Sequence, residues 1–136
     1  AFRDIKKVFI PNYIKYINSG AFGCCENLEF IEFENNSKLQ YMGENCFSRT
    51  SITNICIPNG VKSVGNNSFT FCNLLYCLEG LSDVFYFGEF LFNNCYNLSI
   101  LSFPNAIRLH SIKNVLSIIS SPKLIIFYVH AYSIID

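Results

Sequence analysis

Histidine is scarce in this sequence: there are two, His110 and His130, both near its end. Tryptophan is missing and methionine occurs once. GxSxG, P-loop, HExxH and Rossmann glycine patterns are all absent, which removes the usual nucleophile, phosphate, zinc and dinucleotide signatures. Net charge is lacking too, since ten basic side chains balance ten acidic ones. No global field is therefore directed at nucleic acid. Arg3, Lys6, Lys7 and Lys15 precede Glu26, Glu29, Glu32 and Glu34; these runs read as a solvated face with no acid/base pair. No clean apolar run reaches the roughly 20 residues of a membrane span. The segment 115–135 comes nearest, but Pro122, Lys123, His130 and several serines interrupt it, so buried terminal strands are expected there. The chain opens at Ala1 without a leader and reads as a piece of a longer parent, about whose leader or anchor it says nothing.

What the sequence has is a low charge content, 15%, and an apolar half dominated by Phe, Ile, Leu and Tyr. With 136 residues this is enough to bury a continuous core. That apolar half is periodic. Phe22, Phe47, Phe69 and Phe92 fall at intervals of 25, 22 and 23, and Ile5, Leu28, Ile52, Leu75 and Leu98 at intervals of 23, 24, 23 and 23. Repetition at such a period means stacked units, none of which can bury its own apolar face.

Each unit has an internal logic. Leu28-x-x-Ile31-x-Phe33 alternates as a short strand with one buried face. Pro11, Pro58 and Pro104 follow the strand, where a missing N–H is tolerated. A second apolar pair comes next, as in Ile14 and Ile17 or Val61 and Val64. The column Asn18, Gly43, Gly65 and Gly88 is expected to make a tight turn with φ > 0. A small residue and Phe then begin a short helical or irregular closing turn. Stacking at about 4.8 Å would make the phenylalanines an internal ladder, each ring stabilising by roughly 2–3 kcal/mol. Gly80 replaces an inward apolar residue and is expected to leave a thin spot. After Ile107 the register decays, and Leu124-x-x-Phe127-x-Val129 reads as one more strand, arriving three positions late. The expected organisation is an array over residues 1–110, about five strands, with a degenerate last repeat or cap over 111–136.

The seven cysteines follow the same register. Cys25, Cys72 and Cys95 share one repeat position with Thr50, and Cys46 shares another with Ala21, Ser68 and Leu91. Free cysteine packs as a small hydrophobe, so these are expected to be buried. No paired C-x-x-C metal knuckle occurs. A Cys72–Cys95 disulfide is within Cα reach but disfavoured, because stacked coils hold the Cβ vectors parallel. Cys25 lacks a nearby base to act as a nucleophile. Cys56 and Cys77 should point outward and be the thiols most open to oxidation.

The stretches "IPNYIKYINSGAFGCCENLEFIEF" and "ICIPNGVKSVGNNSFTFC" resemble the leucine-rich repeat variant of the BspA-like surface proteins. That family's unit runs as strand, Ile-Pro, spaced Val or Ile, Gly, Ala-Phe and Cys, at the same period as the columns above. The likeness covers residues 1 to about 110; Gly80, Leu81 in place of Pro, and the segment after Ile107 depart from it. It implies a repeat solenoid, a leucine-rich-repeat horseshoe with a parallel β-sheet on the concave face and short helical or irregular convex segments. It also implies cell-surface display and adhesion to host or matrix proteins.

On such a sheet the residues between the inward ones face solvent. The expected binding face is Lys7 and Phe9, Phe30 and Glu32, Asn54 and Cys56, Cys77 and Glu79, and Ile100 and Ser102. Exposed Phe9, Phe30 and Ile100 rimmed by charge would suit a protein ligand. No catalytic residue, cofactor, metal or nucleic-acid partner is expected. Membrane association would come only through other parts of the parent. Sequons at Asn35, Asn66 and Asn97 point weakly to export, whereas unpaired thiols suit a reducing compartment. The alternative reading is an internal scaffold whose repeats set length and spacing.

Overall fold

The computed structural model describes residues 4–103 and 126–129, with side chains for 4–102. The chain winds as a parallel-strand β-solenoid, each coil contributing a longer strand and then a two-residue one. The longer strands are β1 (Lys7–Ile10), β3 (Phe30–Phe33), β5 (Asn54–Cys56), β7 (Cys77–Glu79), β9 (Ile100–Phe103) and β10 (Ile126–Val129). The short ones are β2 (Tyr16–Ile17), β4 (Tyr41–Met42), β6 (Ser63–Val64) and β8 (Tyr86–Phe87). No helix occurs among the described residues; of the two expected forms of the convex segment, the irregular one is found.

Register follows the apolar columns. Val8 pairs with Ile31, Ile55 with Leu78, and Leu78 with Leu101, so like side chains stack across coils. Leu28, Ile52, Leu75 and Leu98 are fully buried behind the strands. β10 lies on β9 with Ile126 opposite Ile100, three positions later than a repeat of the Cys77-to-Ile100 step would place it. The late strand expected from the sequence is present.

The phenylalanine ladder is continuous. Ring centroids are 5.5 Å apart for Phe22–Phe47 and 5.9 Å for Phe47–Phe69 and Phe69–Phe92, with interplanar angles of 12–13°. Beside it the closing turns carry their own hydrogen-bond ladder. Phe22 N donates to Cys46 O, Phe47 N to Ser68 O and Phe69 N to Leu91 O, at 2.9–3.1 Å. Residues two before and two after each Phe adopt positive φ: Gly20, Asn45, Asn67 and Phe90 in one column, Cys24, Arg49, Phe71 and Asn94 in the other. This alternation turns every second N–H group, as at Gly20, Phe22 and Cys24, toward the next coil.

The glycine column behaves otherwise than expected. Gly43, Gly65 and Gly88 are not among the positive-φ residues, nor is Asn18. Their role is close approach. A Cβ on Gly65 would lie 2.6 Å from Glu44 N, and one on Gly88 2.3 Å from Asn66 N, distances that real Cβ atoms do not reach. Gly80 is likewise no thin spot. It turns at φ +87, and a Cβ there would fall 2.0 Å from Ile57 O, so backbone fills the space a side chain takes elsewhere. Ile57 beneath it is 1% exposed.

Two features depart from the single sheet expected. The short strands form a second parallel sheet, in the order β2-β4-β6-β8. The longer strands form two sheets, β1-β3 and β5-β7-β9-β10, so pairing lapses between β3 and β5. Coil length explains the lapse. β4 starts two positions later after β3 than β2, β6 and β8 start after β1, β5 and β7. The following turn, Thr50 to Ile52, is one position shorter than Cys72 to Leu75. The two changes displace β3 relative to β5 while leaving the second sheet in register.

Candidate functional site

The ten residues expected on the binding face do point outward from the longer strands. Lys7, Phe9, Phe30, Glu32, Asn54, Cys56 and Glu79 are exposed; Cys77, Ile100 and Ser102 are half-buried. Alternation accounts for this, since each is flanked by an inward residue such as Val8 or Ile55. On β1 and β3 four of them form a square. Lys7 sits opposite Phe30 and Phe9 opposite Glu32. The Lys7 Nζ–Glu32 Oε2 ion pair spans one diagonal at 3.2 Å, leaving the two rings on the other. Phe9 is 51% and Phe30 58% exposed. Both charges of the pair are themselves more than half exposed, so it orients the square more than it stabilises it.

The lapse between β3 and β5 divides this face. The square lies on one side; Asn54, Cys56, Cys77, Glu79, Ile100 and Ser102 lie on the other. Between them opens a cleft of about 590 Å³, lined by Glu32, Glu34, Asn35, Ser37, Cys56 and Asn59 among others. Its rim is tied to the first coil: Asn12 N donates to Glu34 Oε2 at 2.6 Å and Asn12 Nδ2 to Asn35 O at 3.4 Å. The sequence marks Asn35 and Ser37 only as a sequon and Glu34 only as part of an acidic run; none of the three is expected on the binding face. The signal was available, because the interval from Phe22 to Phe47, which contains this coil, is longer than those from Phe47 to Phe69 and from Phe69 to Phe92.

The thiols divide by column. Cys25, Cys46, Cys72 and Cys95 are at most 1% exposed, and all seven cysteines are free. Cys72 Sγ donates to Phe47 O at 3.1 Å and Cys95 Sγ to Phe69 O at 2.9 Å, so each thiol bonds the backbone of the preceding coil. Thr50 Oγ1 makes the equivalent bond within its own coil, to Phe47 O at 2.9 Å. Burial pushes the Cys46 thiol up to about 12 and raises those of Cys72 and Cys95. These groups are neutral packing atoms. Of the two cysteines expected to be reactive, Cys56 is exposed. Cys77 is half-covered, and its pKa is raised by burial and then by the Glu79 carboxylate. The other exposed thiol is Cys24, in the left-handed region at φ 61, a conformation its residue type did not announce.

Among the described residues no three His, Cys, Asp or Glu side chains gather as a metal site would require. No helix among them is long and apolar enough to cross a membrane. The segments 1–3, 104–125 and 130–136, with His110 and His130 among them, lie outside the described residues.

A second exposed surface was missed. Tyr16, Tyr41 and Tyr86 occupy one register position of the β2-β4-β6-β8 sheet, with Ser63 between the last two. Their exposures are 58, 38 and 53%. Two-residue strands give no alternating run for a sequence pattern to detect.

Comparison with known proteins places this geometry. The family model described as "BspA type Leucine rich repeat region" matches residues 1–116 in 6 copies. No curated protein matches the chain by sequence. Among solved structures, the pneumococcal vaccine antigen PcpA is similar at 25% identity and TM-score 0.67, over 73% of this chain and 25% of that one. A T. pallidum leucine-rich repeat protein is similar in fold at 24% identity and TM-score 0.64, over 75% of this chain and 46% of that one. A leucine-rich repeat protein from Bacteroides ovatus is similar in fold at 23% and 0.56, over 76% and 32%. The chain thus spans about a quarter of the pneumococcal antigen and less than half of the other two.

Proposed function

The chain belongs to the BspA-type leucine-rich repeat family, and from that premise we propose that it is a non-catalytic protein-recognition module displayed at a cell surface. The observation carrying this is the Phe9–Phe30 pair. Two aromatic rings, each at least half exposed, lie beside an ion pair whose Glu32 lines the cleft. Aromatic side chains rimmed by charge are what protein interfaces concentrate at their centres. The recognition face is the set Lys7, Phe9, Phe30, Glu32, Asn54, Cys56, Cys77, Glu79, Ile100 and Ser102, and its ligand is a host, matrix or cell-surface protein. Likeness to a pneumococcal vaccine antigen supports outward display. Residues 1–110 form the array in this reading, and 111–136 a degenerate last repeat or cap.

The test has two arms. Membrane-impermeant biotinylation of intact cells expressing the parent should label these repeats without lysis. On a panel of purified matrix proteins, the Phe9→Asp/Phe30→Asp variant should lose the binding that the unaltered chain shows, while its melting curve stays in place. Binding indifferent to both substitutions would reject the face. The second reading, an internal scaffold, draws on the seven free thiols, which suit a reducing compartment. Protection from biotin until lysis would favour it.

A further inference from the structure

The split in the main sheet leaves two strand edges facing each other without hydrogen bonds. Ser51 N donates to Leu28 O at 2.9 Å, and Lys62 N to Gln40 O at 2.8 Å. Between those points, along 29–39 on one lip and 52–61 on the other, no backbone hydrogen bond joins the second and third coils. The cleft opens in this window, lined by 31–37 on one side and 56–59 on the other. Successive residues of a strand direct their N–H and C=O to opposite edges, which settles the groups that face it. Phe30 N donates to Lys6 O and Glu34 N to Ile10 O, so Phe30, Glu32 and Glu34 turn toward β1, and Ile31 and Phe33 toward β5. On the other lip Thr53 O accepts from Cys77 N and Ile57 N donates to Glu79 O, which turns Asn54 and Cys56 toward β3.

Side chains behind this edge are uncovered as well. Ile31 and Phe33 are half-buried, whereas Ile55 and Ile57, which succeed them in the next coil, are 4% and 1% exposed. Open backbone groups backed by uncovered apolar side chains are what strand addition uses. We propose that the cleft takes an extended segment of a partner protein. The segment pairs with the N–H and C=O of Ile31 and Phe33 along β3, and its β-branched side chains cover theirs. Backbone rather than charge defines this occupant, because the lining carboxylates are already engaged, Glu32 by Lys7 and Glu34 by Asn12 N. The assignment deepens the protein-recognition reading and rests on it for the existence of a partner.

Amide exchange on the isotopically labelled full chain, read by NMR, tests the pairing directly. The probe is N-acetyl-Thr-Val-Thr-Val-Thr-amide. In the free chain the Ile31 and Phe33 amides should exchange fast, and those of Phe30 and Glu34, bonded to β1, slowly. With probe at about ten times its Kd, exchange at Ile31 and Phe33 should slow about tenfold. N-methylation of the three central probe residues keeps every side chain but removes the pairing donors, and should weaken binding about tenfold or more. Slow exchange at Ile31 and Phe33 before the probe is added, no slowing after it, or equal slowing by the N-methylated probe would overturn the strand pairing. Slowing confined to Lys7 and Phe9, whose amides lie on the outer edge of β1, would put the probe at the end of the array and overturn the cleft. Slowing at Ile31 and Phe33 that grows with protein concentration alone would make the occupant a second copy of this chain and overturn the partner. Exchange is read whether or not the chain is displayed or binds matrix protein, so this assignment and the recognition reading fail separately.

Discussion

Phe69→Ala is the sharpest test of the stack. The ring is 1% exposed, so truncation forfeits essentially the whole transfer free energy, about 2–3 kcal/mol. It also removes both stacking contacts, to Phe47 and Phe92 at 5.9 Å each, worth about 0.5–1.5 kcal/mol apiece. The total agrees with the roughly 3–5 kcal/mol typical of Phe→Ala in a core that cannot collapse. Collapse is resisted here because hydrogen bonds at Phe47 N and Phe69 N hold the coils apart at fixed spacing. In a nearest-neighbour array the loss falls on two interfaces at once. Urea and thermal melts by circular dichroism should show Phe69→Ala unfolding far earlier than the exposed-site control Asn54→Ala. Phe22→Ala should fall between them, at about half the cost, because Phe22 is half-buried and stacks on Phe47 alone among the described rings. Coincident melts for Phe69→Ala and Asn54→Ala would refute the ladder as the source of stability.

Gly65→Ala should destabilise by about 1–3 kcal/mol or more, since its Cβ would meet the Glu44 and Gly43 backbone at 2.6–2.7 Å. Gly60→Ala meets nothing nearer than 4.0 Å and should cost only its positive-φ penalty, about 1 kcal/mol; equal losses in paired melts would count against the close-approach role. Stability should fall above pH 9. The ordinary thiol value is 9.0, and burial raises Cys46 to about 12 and lifts Cys72 and Cys95, so the unfolded chain releases these protons first. Each thiol's stabilising contribution is present in full below 9 and is lost at about 1.4 kcal/mol per pH unit as pH climbs from there toward the folded value. Urea midpoints between pH 8 and 10.5 should show a shallower decline for Cys46→Ala, and parallel declines would contradict the burial effect. In native labelling with a maleimide followed by mass spectrometry, Cys24 and Cys56 should react first, Cys77 later, and the four buried thiols only on unfolding.

The columns that were legible in the sequence are those in which one residue type recurs. Four phenylalanines and three cysteines at one period announce a stack before any strand is placed, because only stacking gives each of them a like neighbour. Gly43, Gly65 and Gly88 recur just as plainly, yet residue type alone does not distinguish a left-handed turn from a close backbone approach. The left-handed columns contain Arg49, Phe71 and Phe90, whose side chains give no hint of it; inter-coil hydrogen bonds hold them there. The second sheet escaped notice because each of its strands is only two residues long, shorter than any alternation. The split of the main sheet follows from two positions gained and one lost within a single coil, a change visible in the count but whose effect on pairing requires the register of the neighbours.

That split has a mechanical consequence. Coils in a solenoid are joined in series along its axis, so a pulling force passes through every interface in turn and the array yields at the weakest. Between the first and second coils, and between the third and fourth, the load is shared by three seams: the longer strands, the short strands and the closing turns. Between the second and third coils the longer-strand seam is open, while β4 still pairs with β6 and the closing turns remain bonded. Tension there is off-centre, so the interface opens from the cleft side like a zipper, one bond at a time. Among the coil interfaces at which both sheets are described, this one is the point of first failure under tension, set by a mismatch in the length of one coil.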